Sequence, residues 1–338
     1  MTEARTPRIA VLIPCRNEAV AIPKVVADFR AHLPAATVYV YDNNSTDGTA
    51  AAARAAGAVV RREALQGKGH VVRRMFADVE ADIYVLVDGD DTYDAAAAPR
   101  MVAELLGGEL DMVNGARVAA DGAGFRRGHR TGNRILTGLV RRIFGASISD
   151  MLSGYRVFSR RFVKSFPALA AGFETETEFT IHALELRMPV DELPVGYRER
   201  PAGSASKLRT YSDGARILRT ILLLVKDERP LQFFALWAVL FLLLGIGLGT
   251  PVVLEFLRTG LVPRLPTAVL ATGLVLLASL ALACGLILDS VARGRKEQKR
   301  LAYLAIPGVG ASAADRAERG DADREIAAID RGPPREAG

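Results

Sequence analysis

Two patterns of apolar residues divide the chain. From residue 9 to about residue 200, short apolar runs of strand length alternate with longer stretches of helical period; beyond residue 230 come two long runs without charge. In the first part, residues 9–13, 37–41, 58–60, 83–87 and 111–114 read as strands, and 22–32, 47–56, 69–79 and 96–106 as helices. This alternation predicts an α/β domain, a mostly parallel sheet with helices on both faces. In such sheets ligands bind at the carboxyl ends of strands, so polar residues there are the first candidates for chemistry.

The second part has a different solvent. Residues 231–254 and 265–288 contain no charged residue. As helices each would be about 36 Å long, enough to cross a ~30 Å hydrocarbon core. Core helices of globular proteins rarely lack charge on every face, so a transmembrane hairpin is predicted, joined by residues 255–264 with Gly260 and Pro263. Lys226 and Arg229 precede it, and Arg293, Arg295, Lys296, Lys299 and Arg300 follow it, whereas the loop sets Arg258 and Arg264 against Glu255. Positive flanks predict that the α/β domain and both termini are cytoplasmic. Before the first span, Leu208, Tyr211, Ala215, Leu218 and Leu222 share one helical face, and Arg209, Asp213, Arg216 and Thr220 the other. That reads as an amphipathic helix lying on the bilayer, or else packed on the domain. The expected organisation is a domain over 1–206, a juxtamembrane helix over 207–230, spans at 231–254 and 265–288, and a basic then disordered tail over 289–338.

Composition narrows the classes. The 338 residues are 50% hydrophobic and 24% charged, which excludes wholesale disorder. Two cysteines, Cys15 and Cys284, cannot make a disulfide framework and suit a reducing compartment; four scattered histidines do not suggest a zinc site. The apolar run at 9–13 is too short for a signal peptide. The net charge of +6 gathers in clusters: Arg126, Arg127, Arg130, Arg134, Arg141 and Arg142, then Arg198, Arg200, Lys207, Arg209, Arg216 and Arg219. Without interleaved aromatic residues these do not read as a nucleic-acid surface; anionic headgroups and a lipid phosphate are the better partners.

Three strand ends are rich in polar groups. The first runs into Pro14-Cys15-Arg16-Asn17-Glu18, the second into Asp42-Asn43-Asn44-Ser45-Thr46-Asp47-Gly48-Thr49, the fourth into Asp88-Gly89-Asp90-Asp91. Singly each has a plain reading: Ser45, Thr46 and Asp47 as helix caps, Asp88-Gly89-Asp90 as a turn. Together on one sheet edge their repulsion calls for a cation or a hydrogen-bonding ligand. Asp88 and Asp90 suit Mg²⁺ or Mn²⁺ bridging a diphosphate. Gln66-Gly67-Lys68-Gly69 opens a helix and sets Lys68 within reach of a phosphate, or in solvent; His70 excludes a Walker loop. Glu178 completes a capping box with Thr175, which leaves Glu174 and Glu176 open; His182 reads as structural, and Asp150 as a base or a turn cap.

Pro14-x-x-Asn17-Glu18, Asp42-Asn-Asn-Ser45-x-Asp47-x-Thr49, Gly67-Lys-Gly69 and Asp88-x-Asp90 resemble the ordered motifs of family 2 glycosyltransferases of the GT-A fold. Asp150-x-x-Ser153-Gly154-Tyr155-Arg156 and Arg200…Gly203…Ser206-Lys207 are similar to those of polyprenyl- and dolichyl-phosphate sugar synthases. The resemblance implies that Pro14, Arg16, Glu18, Val40 and Asp42 line a nucleoside pocket, and that Asp88, Gly89 and Asp90 hold ribose, diphosphate and metal. It gives Arg117 to the phosphates, and Arg200 and Lys207 to the acceptor phosphate. The chain departs from its relatives at Arg16, often aromatic there, at Asn43, where paired aspartates occur, and at Thr92, where some have a metal-binding glutamine; Asp91 is the substitute at hand.

The expected activity is metal-dependent, inverting transfer of a hexose from a nucleotide-diphosphate sugar, UDP-glucose first and GDP-mannose second, to a polyprenyl monophosphate. A processive polysaccharide synthase would carry Gln-x-x-Arg-Trp, but the one tryptophan, Trp237, lies in the first apolar run. A transferase with a hydroxyl acceptor and Asp150 as base, and an inactive membrane-anchored nucleotide-sugar binder, are the rivals. Homo-oligomerisation is left open.

Overall fold

The alternation of strands and helices builds one twisted seven-stranded sheet. The computed structural model describes residues 6–119, 138, 148–172, 174–200, 226 and 229–309. In chain order the elements are β1 (Ile9–Cys15), α1 (Ile22–His32), β2 (Thr37–Asp42), α2 (Thr49–Ala55), β3 (Val59–Arg62), α3 (Lys68–Asp78), β4 (Ile83–Leu86), a 3₁₀ turn (Ala95–Ala97), α4 (Ala98–Gly107), β5 (Met112–Ala119), β6 (Arg156–Ser159), α5 (Arg160–Ser165), α6 (Thr175–Leu186), β7 (Val190–Tyr197), α7 (Pro230–Thr259) and α8 (Leu265–Leu304). The strand order is β3-β2-β1-β4-β6-β5-β7. The first four are mutually parallel, β6 runs antiparallel to both β4 and β5, and β7 is parallel to β5. Two compact units result, Met1–Leu208 with Lys299–Gly338, and Arg209–Gln298.

Strand periodicity puts alternate side chains into two cores. Val11, Ile13, Val38, Val40 and Val85 pack with Phe29 of α1 and Met101 and Leu105 of α4. On the other face Phe76, Phe158, Phe162, Phe166 and Phe179 pack in stacked, tilted and edge-on pairs with ring centroids 4.5 to 6.3 Å apart. Two strands lie outside the sequence-based expectation. β6 carries Arg156 and Ser159 and so shows no apolar run. β7 contains Asp191, Glu192 and Pro194, which a central strand would not tolerate; as the last strand of the sheet it can.

Helices α7 and α8 are long and apolar enough to cross a membrane, and only 11% and 17% of their most apolar windows are buried. Gly260, in the left-handed region at φ 71°, caps α7 by donating its N–H to the Phe256 carbonyl at 2.8 Å. Small residues form the seam of the hairpin: a Cβ on Gly245 would lie 2.9 Å from Val275 Cγ2, and one on Gly285 3.0 Å from Phe234 Cβ.

The stretch after residue 288, expected as a basic and then disordered tail, continues α8 as far as Leu304. Its residues are mostly strong helix formers, and Asp289 pairs with Arg293 one turn on at 3.2 Å. Within the catalytic unit, Lys299 Nζ lies 2.7 Å from Glu185, and Tyr303 donates its hydroxyl to the fully buried Asp111 at 2.8 Å, its ring 4.8 Å beneath the Arg161 guanidinium. The arginine cluster 126–142, Lys207, nearly all of the juxtamembrane helix and the tail beyond residue 309 lie outside the described residues.

Candidate active site

The carboxyl ends of β1 and β2 are laced together by their polar motifs. Asn17, at φ 52°, donates its N–H to Ser45 Oγ at 2.9 Å and accepts from Thr46 N at 2.8 Å. Glu18 N donates to Thr49 Oγ1 at 2.9 Å, and Asp47 accepts from Ala19 N at 3.2 Å. Ser45, Thr46 and Asp47, readable as caps, therefore brace the first loop, and α2 starts at a Gly48 N-cap without a side-chain cap. Asn43 is a second brace. Its Nδ2 donates to the carbonyls of Glu63 (3.0 Å) and Leu65 (2.7 Å), while Oδ1 accepts from Gly67 N and Gln66 Nε2, both at 2.8 Å. An aspartate could not donate to those carbonyls, which accounts for this departure from the paired aspartates.

Asp42 ends β2 beside a cleft of about 300 Å³ lined also by Asn44, Ser45, Arg54, Arg61 and Arg62. Its Oδ2 accepts from Ser45 N at 3.4 Å, but Oδ1 is buried and accepts nothing. A buried lone acceptor is costly, and an N–H or O–H of a nucleoside would satisfy it. Pro14 is half-buried and Arg16 exposed at the same edge. Val40 does not fit its expected place in the nucleoside pocket. It is fully buried in the core, two residues before Asp42 on the same strand face, and only the strand end emerges to the ligand side.

Asp88 is held from two directions. Lys68 Nζ approaches its Oδ1 at 2.5 Å and also meets Glu176, with both Lys68 and Glu176 more than nine-tenths buried. Burial alone would lower the lysine's pKa, but Asp88 and Glu176 reverse this and hold it above its ordinary value. Lys68 is thus neither solvated nor free to meet a phosphate. Glycines make the geometry: a Cβ on Gly154 would lie 2.3 Å from Asp88 Oδ2, one on Gly67 (φ 138°) 2.2 Å from the Ala171 carbonyl, and one on Gly89 2.3 Å from Cys15 Sγ. Glu178 does not close a capping box. Its carboxylate accepts from Leu169 N (2.8 Å) and Ala170 N (3.0 Å), tying down the loop that covers Gly67 and Gly69.

Asp90 is buried. Its Oδ1 accepts from Thr92 Oγ1 at 2.6 Å, and its Oδ2 meets Arg200 Nη2 at 2.6 Å. Arg200 Nη1 also lies 3.6 Å from Glu18 Oε1. Burial, then the charge of Asp88, raises the Asp90 pKa, and Arg200 and Thr92 offset this only in part. Thr92 supports Asp90 as a donor, and Asp91, in the left-handed region at φ 56°, turns to Lys24 at 2.9 Å. Neither adds a third metal-facing oxygen group to Asp88 and Asp90.

Arg117 and Asp150 form a bidentate pair at 2.7 and 2.8 Å, the guanidinium 5.5 Å from the ring centroid of Tyr197. Burial would lower the arginine's pKa, but its bond to Asp150 raises it. Arg156 is buried whole, donating to the carbonyls of Ser153 (3.1 Å) and Met151 (2.7 Å) and to Thr180 Oγ1 (2.8 Å), so it holds the segment that carries Gly154. His182 is structural, 5.3 and 5.4 Å from the rings of Phe162 and Phe166.

Hard carboxylate oxygens, a Gly-spaced pair and a raised Asp90 pKa fit a divalent cation. Among the described residues no three His, Cys, Asp or Glu side chains form a closed cage, so water and phosphate oxygens would complete the shell, as Mg²⁺ and Mn²⁺ favour. Sequence reasoning named Glu176, Thr92, Gly154 and Asn43 but not the parts they play here: Glu176 pairs with Lys68, Thr92 donates to Asp90, Gly154 makes room for Asp88, and Asn43 braces the loop after β3.

A family model described as glycosyl transferase family 2 matches residues 10–166. Glycosyltransferase AglJ of Haloferax volcanii is 32% identical over 299 residues, which cover 88% of this chain and 98% of that protein. The dolichyl-phosphate hexose transferase of the same organism is 29% identical over 68% of this chain and 99% of its own length. Glucosyl-3-phosphoglycerate synthase of Mycobacterium tuberculosis shares the fold, with a TM-score of 0.53 at 24% identity over 65% of this chain and 80% of that one. That enzyme has also been solved with Mn²⁺ and uridine-diphosphate-glucose bound.

Proposed function

From a chain that belongs to the family 2 glycosyltransferases, we propose transfer of a hexose, with inversion, from a nucleotide-diphosphate sugar to a polyprenyl monophosphate at a membrane. One juxtaposition carries the reading: Arg200, the expected grip on the acceptor phosphate, lies 2.6 Å from Asp90, the expected donor-side carboxylate. The likeness to a dolichyl-phosphate hexose transferase over nearly all of that protein supports a lipid phosphate acceptor, and the apolar helices α7 and α8 support a bilayer around it. The basic flanks of the hairpin favour a cytoplasmic catalytic domain, with the connecting loop on the other side.

In the reaction a phosphate oxygen of the lipid bonds to the anomeric carbon as that carbon's bond to the diphosphate breaks, and the electron pair leaves with the nucleoside diphosphate. The acceptor's second pKa is about 6, so it arrives as an anion and needs no general base. Asp150, engaged on both oxygens by Arg117, therefore orients that arginine toward the diphosphate rather than taking a proton. Asp42 would receive the nucleoside, and Asp88 and Asp90 would hold Mg²⁺ or Mn²⁺, which when bound neutralises charge on the departing diphosphate. Catalysis then rests on alignment and on charge stabilisation.

Two substitutions test the chemistry. Asp90→Ala should abolish transfer, and Asp150→Asn should cost less than the ~10²-fold or more expected on losing a general base. A loss of that size at Asp150, with polyprenol accepted, would favour the hydroxyl acceptor instead.

A further inference from the structure

Each donor-side carboxylate carries a cation of the chain's own, and the two cations differ. Lys68 is 8% exposed and ion-paired to both Asp88 and Glu176. Arg200 is 29% exposed, and its Nη1 has no hydrogen-bond partner. Thr92 occupies one oxygen of Asp90, so Oδ2 is the oxygen open to a cation, and Arg200 sits on it. Lys68 is a fixture; Arg200 is exchangeable.

We propose that Arg200 is the resident counter-ion of Asp90: a divalent cation arriving on Asp90 displaces it, and the released guanidinium becomes the group that receives the acceptor phosphate. This rests on the reading of Asp90 as a metal-holding residue. While its Nη2 holds Asp90 Oδ2 at 2.6 Å, the guanidinium spends a donor and much of its charge on that carboxylate, so it offers a phosphate monoester less than the released group would. The acceptor site is then completed only after the donor side is loaded, which keeps the lipid phosphate from occupying an empty enzyme. The exchange also has a cost, because a competing charge weakens the protein's hold on the metal.

That cost is measurable without turnover. Mn²⁺ alone is titrated into the full chain in detergent, and free Mn²⁺ is followed by electron paramagnetic resonance. Arg200→Ala and the bulkier Arg200→Gln should each bind Mn²⁺ at least about tenfold more tightly than the parent, since a unit charge a few ångströms away is removed. Arg200→Lys, which keeps the charge, should stay near the parent. Equal or weaker binding by the neutral variants overturns the counter-ion role while leaving the metal site standing. No binding by any of the proteins overturns both.

Discussion

His182 sits between Phe162 and Phe166 with Nε2 3.2 Å from Ser165 Oγ and Nδ1 buried without a partner. Burial, with the nearby charge of Lys299, lowers its pKa to about 3. Between there and its ordinary 6.5 the unfolded chain binds one more proton than the folded one. Stability should therefore fall as pH drops through that window, by up to about 1.4 kcal/mol per pH unit from this group. His182→Gln should flatten the slope of unfolding free energy against pH, and an unchanged slope would contradict the assignment. At Gly154 a new Cβ meets the flexible end of Asp88, so Gly154→Ala should keep the fold and displace that carboxylate. Transfer should drop at least about tenfold, or ~1.4 kcal/mol, with little change in melting temperature. Asp88 and Asp90 were legible because a strand end and a glycine announce them. The burial of Lys68 was not, because Glu176 lies 108 residues away and no local pattern joins them.

Among the elements, the first five strands and four helices follow from periodicity, whereas β6, β7 and the extension of α8 do not. β6 has only Val157 and Phe158 between Arg156 and Ser159, polar residues whose partners, Thr180 and Asp111, lie elsewhere in the chain. β7 keeps Pro194 because it ends the sheet. The last turn of α8 looked like a solvated basic tail, yet Asp111, wholly buried, takes hydrogen bonds from Ser159, Arg161 and Tyr303. Tyr303→Phe keeps the ring beneath Arg161 and removes one donor to a buried carboxylate, which should cost about 1.5–3 kcal/mol. Denaturation in detergent should record that loss, and parent-like stability would show that the contact contributes nothing. Polar residues that pair across elements are what a one-dimensional pattern hides.

At the scale of the molecule, the chain joins an α/β catalytic unit to a hairpin of two helices whose apolar surfaces stay largely uncovered by protein. Hydropathy alone made that division legible. The carboxylates Asp88 and Asp90 were equally plain, but the proposed choice of acceptor turns on Arg200 meeting Asp90, which brings the end of β7 to the end of β4 across the sheet. The reading that a lipid phosphate is the nucleophile can be put to one measurement. Membranes containing the protein are incubated with radiolabelled nucleotide-hexose donors and either polyprenyl phosphate or polyprenol, with Mn²⁺ or with EDTA, and label in the lipid fraction is counted. Label should enter lipid only with polyprenyl phosphate and a divalent cation. Equal labelling of polyprenol, or full transfer in EDTA, would contradict it.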